Sequence, residues 1–233
     1  MHGHAPPVQQ VDTRFDGSVE AMAAAPRFFD GEDAPSRLIW FEQHGFGYYP
    51  VDQARAPYDE AYFAKYEKMG GTDMGRALNI ARGRMVERHW HGDLVDVGIG
   101  CGSFVDYRDN FETWGYDINP AAVAWLHQHD LYWNPRIDPC DAVSMWDVLE
   151  HMPDFPELLA NVRQWAFLAV PLFQTVDHVL QSRHFRPDEH CWYFTKDGLI
   201  EVMNELGWRL VEMTGIETML GRDQIFSFAF NRR

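Results

Sequence analysis

The sequence predicts an α/β fold: a doubly wound, mostly parallel sheet with an antiparallel C-terminal strand pair and an N-terminal extension. Three observations predict it. From residue 94 onward, short β-like runs alternate with longer helical ones, and strand, helix, strand in series requires parallel strands covered on both faces. Two strand-like runs near the end, Trp208 to Met213 and Gln224 to Phe230, are close enough in sequence to pair antiparallel. The 233 residues are 46% hydrophobic and 15% aromatic, enough to bury one large core but cramped for two full domains.

The elements follow in order. Prolines at 6, 7, 26, 35, 50 and 57 break regular structure in the first third, so residues 1 to about 35 read as an irregular arm. Residues 36 to 50 read as a hairpin with Gly45 and Gly47 near its turn. The pattern becomes helical from Tyr58, and Met74, Leu78, Ala81 and Met85 recur at helical spacing, predicting a helix from about Asp73 to Trp90. Then come a strand at Leu94 to Val97, a short helix or turn at Phe104 to Asp109, a strand at Thr113 to Asp117 and a helix at Pro120 to Gln128. A strand at Ala142 to Trp146, a helix at Phe155 to Gln164, a strand at Ala166 to Val170 and a helix at Lys196 to Leu206 complete the series. The division implied is an N-terminal extension over 1–60, forming a lid or a dimer contact, and one domain over 61–233.

Composition narrows the function. Thirty-five acidic residues against twenty Lys and Arg give a formal charge of −15, which disfavours nucleic acid as a partner. The apolar run Trp165 to Phe173 contains a proline and falls far short of the roughly 20 residues a bilayer crossing needs, so no membrane span is expected. The N-terminus lacks a basic start leading into an apolar segment, and three cysteines, Cys101, Cys140 and Cys191, form neither a disulfide framework nor a CxxC pair. A cytoplasmic setting is expected. His2 and His4, His89 and His91, and His127 and His129 have no cysteine partners at zinc-ligand spacing, so no metal site is expected.

Three stretches carry the chemistry. In Leu94-Val-Asp96-Val-Gly98-Ile-Gly100-Cys-Gly102-Ser-Phe104 a buried strand runs into three glycines at alternate positions. That gives either a conformational turn or a backbone that lets a ligand come close. The spacing is G-x-G-x-G, with Ser103 where a dinucleotide fingerprint wants its third glycine, which weakens an NAD reading. Asp96, two places before the first glycine, suits a cationic or amino-bearing ligand, or the ordering of the loop. Twenty-one residues on, Gly115-Tyr-Asp117-Ile-Asn119-Pro120 ends a second strand in a carboxylate placed to accept ribose hydroxyls. Asn119 and Pro120 read as a helix N-cap and first helical residue. In the third stretch, Asp141-Ala-Val-Ser-Met-Trp146-Asp147-Val-Leu-Glu150-His151, a strand exit carries Asp147, Glu150 and His151, at the strand end where ligands of open α/β sheets bind.

Together these stretches resemble the class I S-adenosylmethionine-dependent methyltransferases, and the Asp-Val-Leu-Glu-His string is similar to the small-molecule branch grouped with ubiquinone methyltransferases. Glu189-His-Cys-Trp-Tyr-Phe194 through Leu199, then Leu206-Gly-Trp, extends the resemblance to roughly residues 72 to 230. It implies a Rossmann-like methyltransferase fold with S-adenosylmethionine as cofactor. Gly98, Gly100 and Gly102 would then pass under the methionine and ribose, Asp96 would anchor the loop or the amino group, and Asp117 would hold the ribose. Ile118 would lie against adenine, and Asp147 would lie near the methionine with Trp146 beside it. One departure stands out: between Gln128 and Asp141 the third strand is short or irregular, and no residue there offers itself as the adenine partner.

The implied reaction is methyl transfer to a small-molecule acceptor at oxygen, nitrogen or carbon. An acceptor that must lose a proton needs a base, and His151 is the first candidate, with His184 and His190 as alternatives flanking Phe185 to Glu189. Glu150 and His151 could instead cap the following helix. Two further functions stay open on sequence: a nucleotide-dependent oxidoreductase, and a non-catalytic S-adenosylmethionine-binding protein.

Overall fold

Side-chain caps set where the helices begin. In the computed structural model, which describes residues 9–10, 38–50, 59–109 and 112–233, Thr72 accepts a hydrogen bond from the Gly75 N–H, Asn119 from Ala121 and Thr195 from Gly198. Each satisfies one of the backbone donors that a helix start leaves unpaired. The strands are β1 (Gln9–Gln10), β2 (Ile39–Phe41), β3 (Phe46–Tyr48), β4 (Leu94–Val97), β5 (Thr113–Tyr116), β6 (Cys140–Trp146), β7 (Val162–Phe173), β8 (Trp192–Thr195), β9 (Trp208–Thr214) and β10 (Ile225–Arg232). The helices are α1 (Glu60–Gly70), α2 (Asp73–His89), α3 (Ser103–Tyr107), α4 (Pro120–Gln128), α5 (Phe155–Ala160), α6 (Val176–Gln181), α7 (Lys196–Glu205) and α8 (Ile216–Met219).

The predicted doubly wound sheet is present. β5, β4, β6 and β7 lie side by side and parallel, and β10 runs antiparallel between β7 and β9. The chain passes from β4 to β5 on one side and reaches β6 on the other, so a crevice opens at the carboxyl ends of β4 and β6. The centre of β7, Ala166 to Val170, is fully buried, as expected of a parallel strand covered on both faces. The third strand is reduced to a single parallel bridge between Gly115 and Tyr132, in keeping with the irregular sequence there.

Four local expectations change. α5 ends at Ala160 rather than Gln164, because Val162 already pairs with Cys140 and the Asn161 amide donates to the carbonyls of Pro135 and Arg136. β7 therefore begins earlier than predicted, and it runs on to Phe173 because Leu172 and Phe173 pair with β8. Met74 does not join the buried stripe of α2; it is exposed, and Leu78, Asn79, Met85 and Val86 carry the buried face. The predicted hairpin forms as β2 and β3, but Gly47 lies within β3, where a Cβ would press on Trp40. β3 continues the sheet by pairing with β8. The expected irregular arm, apart from the backbone of β1, lies outside the described residues.

Candidate active site

A cavity of about 770 Å³ opens where the carboxyl ends of β4, β5 and β6 meet the start of α2. That is within the size range of small-molecule sites. The residues singled out by sequence converge on it: Asp96, Gly98, Gly100, Asp117, Ile118, Trp146, Asp147 and His151 all line its wall. Gly102 does not. It stands at the N-cap of α3 with φ +80°, and a Cβ there would press on the Trp125 ring at 2.7 Å, so it serves helix packing rather than the cavity. Gly98 is constrained in the same way, with φ +73° and the Val148 side chain against the place a Cβ would take.

Asp96 is 2% exposed and accepts a hydrogen bond from the Ser144 hydroxyl at 2.6 Å, a pair set by the β4–β6 register, in which the two residues face each other. Burial pushes its carboxyl up to about 7, against the opposing effects of Ser144 and the Arg82 charge. Asp117 binds the loop to the second strand: Oδ2 accepts from the Gly100 N–H at 3.2 Å and Oδ1 from the Asn119 N–H at 2.8 Å. Burial raises its carboxyl, while these backbone donors pull it down. Each oxygen keeps a lone pair for a ligand hydroxyl. Ile118 is exposed at the cavity wall beside it.

Asp147 adopts φ +60°, a left-handed conformation that Asp tolerates better than most residues. Two arginines hold its carboxylate: Arg222 in a fork, with Nη1 to Oδ2 at 2.6 Å and Nη2 to Oδ1 at 3.0 Å, and Arg82 with Nη2 to Oδ2 at 3.1 Å. Fully buried Glu217 accepts from the same arginines, Arg82 Nε at 2.8 Å among them. Burial works to raise the Asp147 carboxyl, but the two guanidinium groups outweigh it and hold it below the ordinary value. The Arg82 guanidinium also lies 5.2 Å over the Trp146 ring. None of these arginines was singled out by sequence; α2, β6 and α8 with the turn after it each supply part of the cluster.

Three histidines also line the cavity. His151 Nδ1 donates to the Glu189 carbonyl at 3.0 Å, which makes Nε2 the basic nitrogen of the neutral ring. Burial lowers its pKa, only partly offset by Glu189. His184 donates from Nε2 to the Asp223 carbonyl at 2.8 Å, and burial lowers its pKa, only partly offset by that bond. His190 packs edge-on against His151 at 4.5 Å between ring centroids, and burial drives its pKa down to about 2. Neither Glu150 nor His151 caps the following helix: the N-cap of α5 is Asp154. Burial, reinforced by the Asp147 charge, raises the Glu150 carboxyl well above its usual range. Tyr48 of β3 also reaches the cavity wall, so the hairpin before residue 60 contributes to it.

A family profile described as a methyltransferase domain matches residues 55–213. The chain belongs to this methyltransferase family. No curated protein sequence matches it. Among solved structures, the methyltransferase chain is similar to magnesium protoporphyrin IX methyltransferase from Synechocystis PCC 6803 with bound SAH. The TM-score is 0.57 and the identity 14%, over 77% of this chain and 98% of that one. It is also similar to a SAM dependent methyltransferase from Archaeoglobus fulgidus (TM-score 0.52, identity 15%, 74% of this chain, 100% of that one). An S-adenosylmethionine-dependent methyltransferase from Clostridium acetobutylicum ATCC 824 follows (TM-score 0.51, identity 9%, 73% of this chain, 98% of that one). At these identities the likeness speaks for the fold. No helix among the described residues of this methyltransferase is long and apolar enough to cross a membrane.

Proposed function

We propose that this chain transfers a methyl group from S-adenosylmethionine (SAM) to a small-molecule acceptor. The observation that carries the reading is the cavity at the ends of β4, β5 and β6 in a chain of the methyltransferase family, lined by Asp96, Gly98, Gly100, Asp117, Asp147 and His151. Three structural neighbours described as SAM-dependent or holding SAH support the cofactor.

The residues present fit that cofactor. Gly100 has no side chain to fill the wall, Asp117 keeps lone pairs toward the ribose hydroxyls, and exposed Ile118 offers an apolar face to the adenine. Asp96 and Trp146 line the wall toward the methionine end, and Asp147, its carboxylate held by Arg222 and Arg82, lies beside them. Gly102, implied by the resemblance as the third glycine contact of the loop, acts by holding α3 in place. When bound, SAM supplies an electrophilic methyl on a sulfonium whose charge is lost on transfer, so alignment and exclusion of water do most of the work. His151 presents its Nε2 lone pair at the acceptor end and is the residue on which acceptor deprotonation depends.

The hairpin of residues 38–50, within the extension over 1–60 that precedes a catalytic domain over 61–233, helps close the cavity; Tyr48 in the cavity wall supports this. Free thiols at Cys101, Cys140 and Cys191 support a reducing, cytoplasmic setting.

The test is SAH release from SAM over a panel of hydroxyl, amine and acidic-carbon acceptors. Turnover is expected with at least one class, and His151→Ala is expected to slow it at least tenfold while SAM affinity stays within about twofold. Equal turnover in the variant would remove His151 from the mechanism, and no turnover with any acceptor would favour a non-catalytic binder.

A further inference from the structure

The acceptor end of the cavity holds three side chains whose chemistry SAM binding does not use. One ligating atom each from Glu150, His151 and His190 lies within 4.8 Å of the other two. Glu150 is 2% exposed and His190 3% exposed, and Glu150 Oε2 and His190 Nδ1 are both buried without a hydrogen-bond partner. Buried polar atoms left without partners are costly unless something meets them. The third member is already prepared as a ligand. The bond from His151 Nδ1 to the Glu189 carbonyl fixes the tautomer and leaves Nε2 free, which is how ligating histidines are oriented by the groups behind them.

The fold also fixes the two segments relative to one another. The Cys191 N–H donates to the Glu150 carbonyl at 2.9 Å, and the Trp192 indole donates to the Met152 carbonyl at 3.0 Å. His190 and Glu150 are therefore held across the same backbone bridge. Of the cations near these groups, Arg186 is paired with Glu189 at 2.8 Å, and Arg222 with Asp147 and Glu217. All three residues line the cavity, so a fourth position faces whatever occupies it.

We propose that Glu150, His151 and His190 hold a divalent first-row transition-metal ion whose open coordination position takes an ionisable oxygen of the methyl acceptor. Two imidazoles and one carboxylate form a ligand set that suits Zn²⁺ and its neighbours, and three protein ligands with one place open is the arrangement of a catalytic rather than a structural site. Ligands around a tetrahedral ion stand about 3.3 Å apart, so binding draws the side chains together by at most about 1.5 Å. The acceptor part of this inference rests on the methyl-transfer reading. The metal lowers the pKa of a hydroxyl it coordinates, whose proton passes to solvent. The oxygen–carbon bond then forms as the sulfur–carbon bond breaks, and sulfur leaves as a neutral thioether. His151 would then act as a ligand, with the cation in place of a free base.

The test uses the full chain, stripped of metal and titrated with Zn²⁺ by calorimetry and with Co²⁺ by visible absorption. His2 and His4 are replaced by Ala in all samples to remove chelation at the N-terminus. One ion per chain is expected. Glu150→Gln and His190→Ala should each weaken binding at least tenfold while SAM affinity stays within about twofold. Should Glu150→Gln lose its circular dichroism, His190→Asn carries the same test. No binding, or binding unchanged in the variants, overturns the site. A chain that binds Co²⁺ through these residues but not SAM supports the site and overturns the methyl-transfer reading; one that binds SAM but no cation does the reverse.

Discussion

Replacing Glu217 with Gln changes one charge and almost no volume, and the structure sets how much that should cost. Glu217 is fully buried and accepts from Arg82 Nε at 2.8 Å, Arg82 Nη2 at 2.9 Å, Arg222 Nη1 at 2.5 Å and the Ser227 hydroxyl at 3.2 Å. With Asp147 the cluster is neutral, two guanidinium groups against two carboxylates. In Glu217→Gln, Asp147 alone must offset both arginines, and an amide NH₂ is turned toward a guanidinium donor. Removing one partner of a buried ion pair costs about 3–5 kcal/mol. The Arg82 side chain is 11% exposed and that of Arg222 26% exposed, so water screens part of the loss and the low end, about 3 kcal/mol, is expected. Urea denaturation of the two proteins should show a lower midpoint at unchanged slope. A loss below about 1 kcal/mol would refute the view that this cluster anchors the cavity wall.

Other predictions follow from single residues. With a folded-state pKa of about 7 against an ordinary 3.8, Asp96 holds its proton more tightly when folded, so ionising it weakens the fold. Wild type should lose stability relative to Asp96→Asn as pH rises from about 4 to about 7, by at most about 4 kcal/mol at roughly 1.4 kcal/mol per unit. Denaturation at pH 5 and pH 8 reads this, and identical pH dependence in both proteins would contradict it. Gly102→Ala should cost about 2–4 kcal/mol, from its left-handed backbone and from crowding of Trp125, as measured by denaturant unfolding. A cost near zero would mean that α3 shifts freely.

The core of the fold was legible because its signals are local. Asn119-Pro120 marks the start of α4, and alternating strands and helices mark the parallel sheet. The ends of β7 were not, because its extra residues are set by pairing with β6 at one end and β8 at the other. Trp192 to Phe194 are buried, and their pairing with Phe46 to Tyr48 spans almost 150 residues and leaves no periodic trace. The same holds at the site. Asp117 and Asp147 follow strand ends, Asp96 lies in β4 just before the glycines, and all three were visible in the sequence. Arg82, Glu217 and Arg222 sit in unremarkable helical and turn sequence and gain meaning only when α2 and α8 meet β6. His190 was considered as a base; its place beside Glu150 and His151 comes from the backbone bridge to Cys191.

Calorimetric titration of the purified chain with SAM, SAH and NAD, repeated on Asp117→Ala, addresses the cofactor directly. The account expects SAM and SAH to bind one per chain, NAD not to bind, and the variant to lose at least tenfold in affinity for both nucleosides. Tight NAD binding, or SAM affinity untouched by loss of the Asp117 carboxylate, would contradict it.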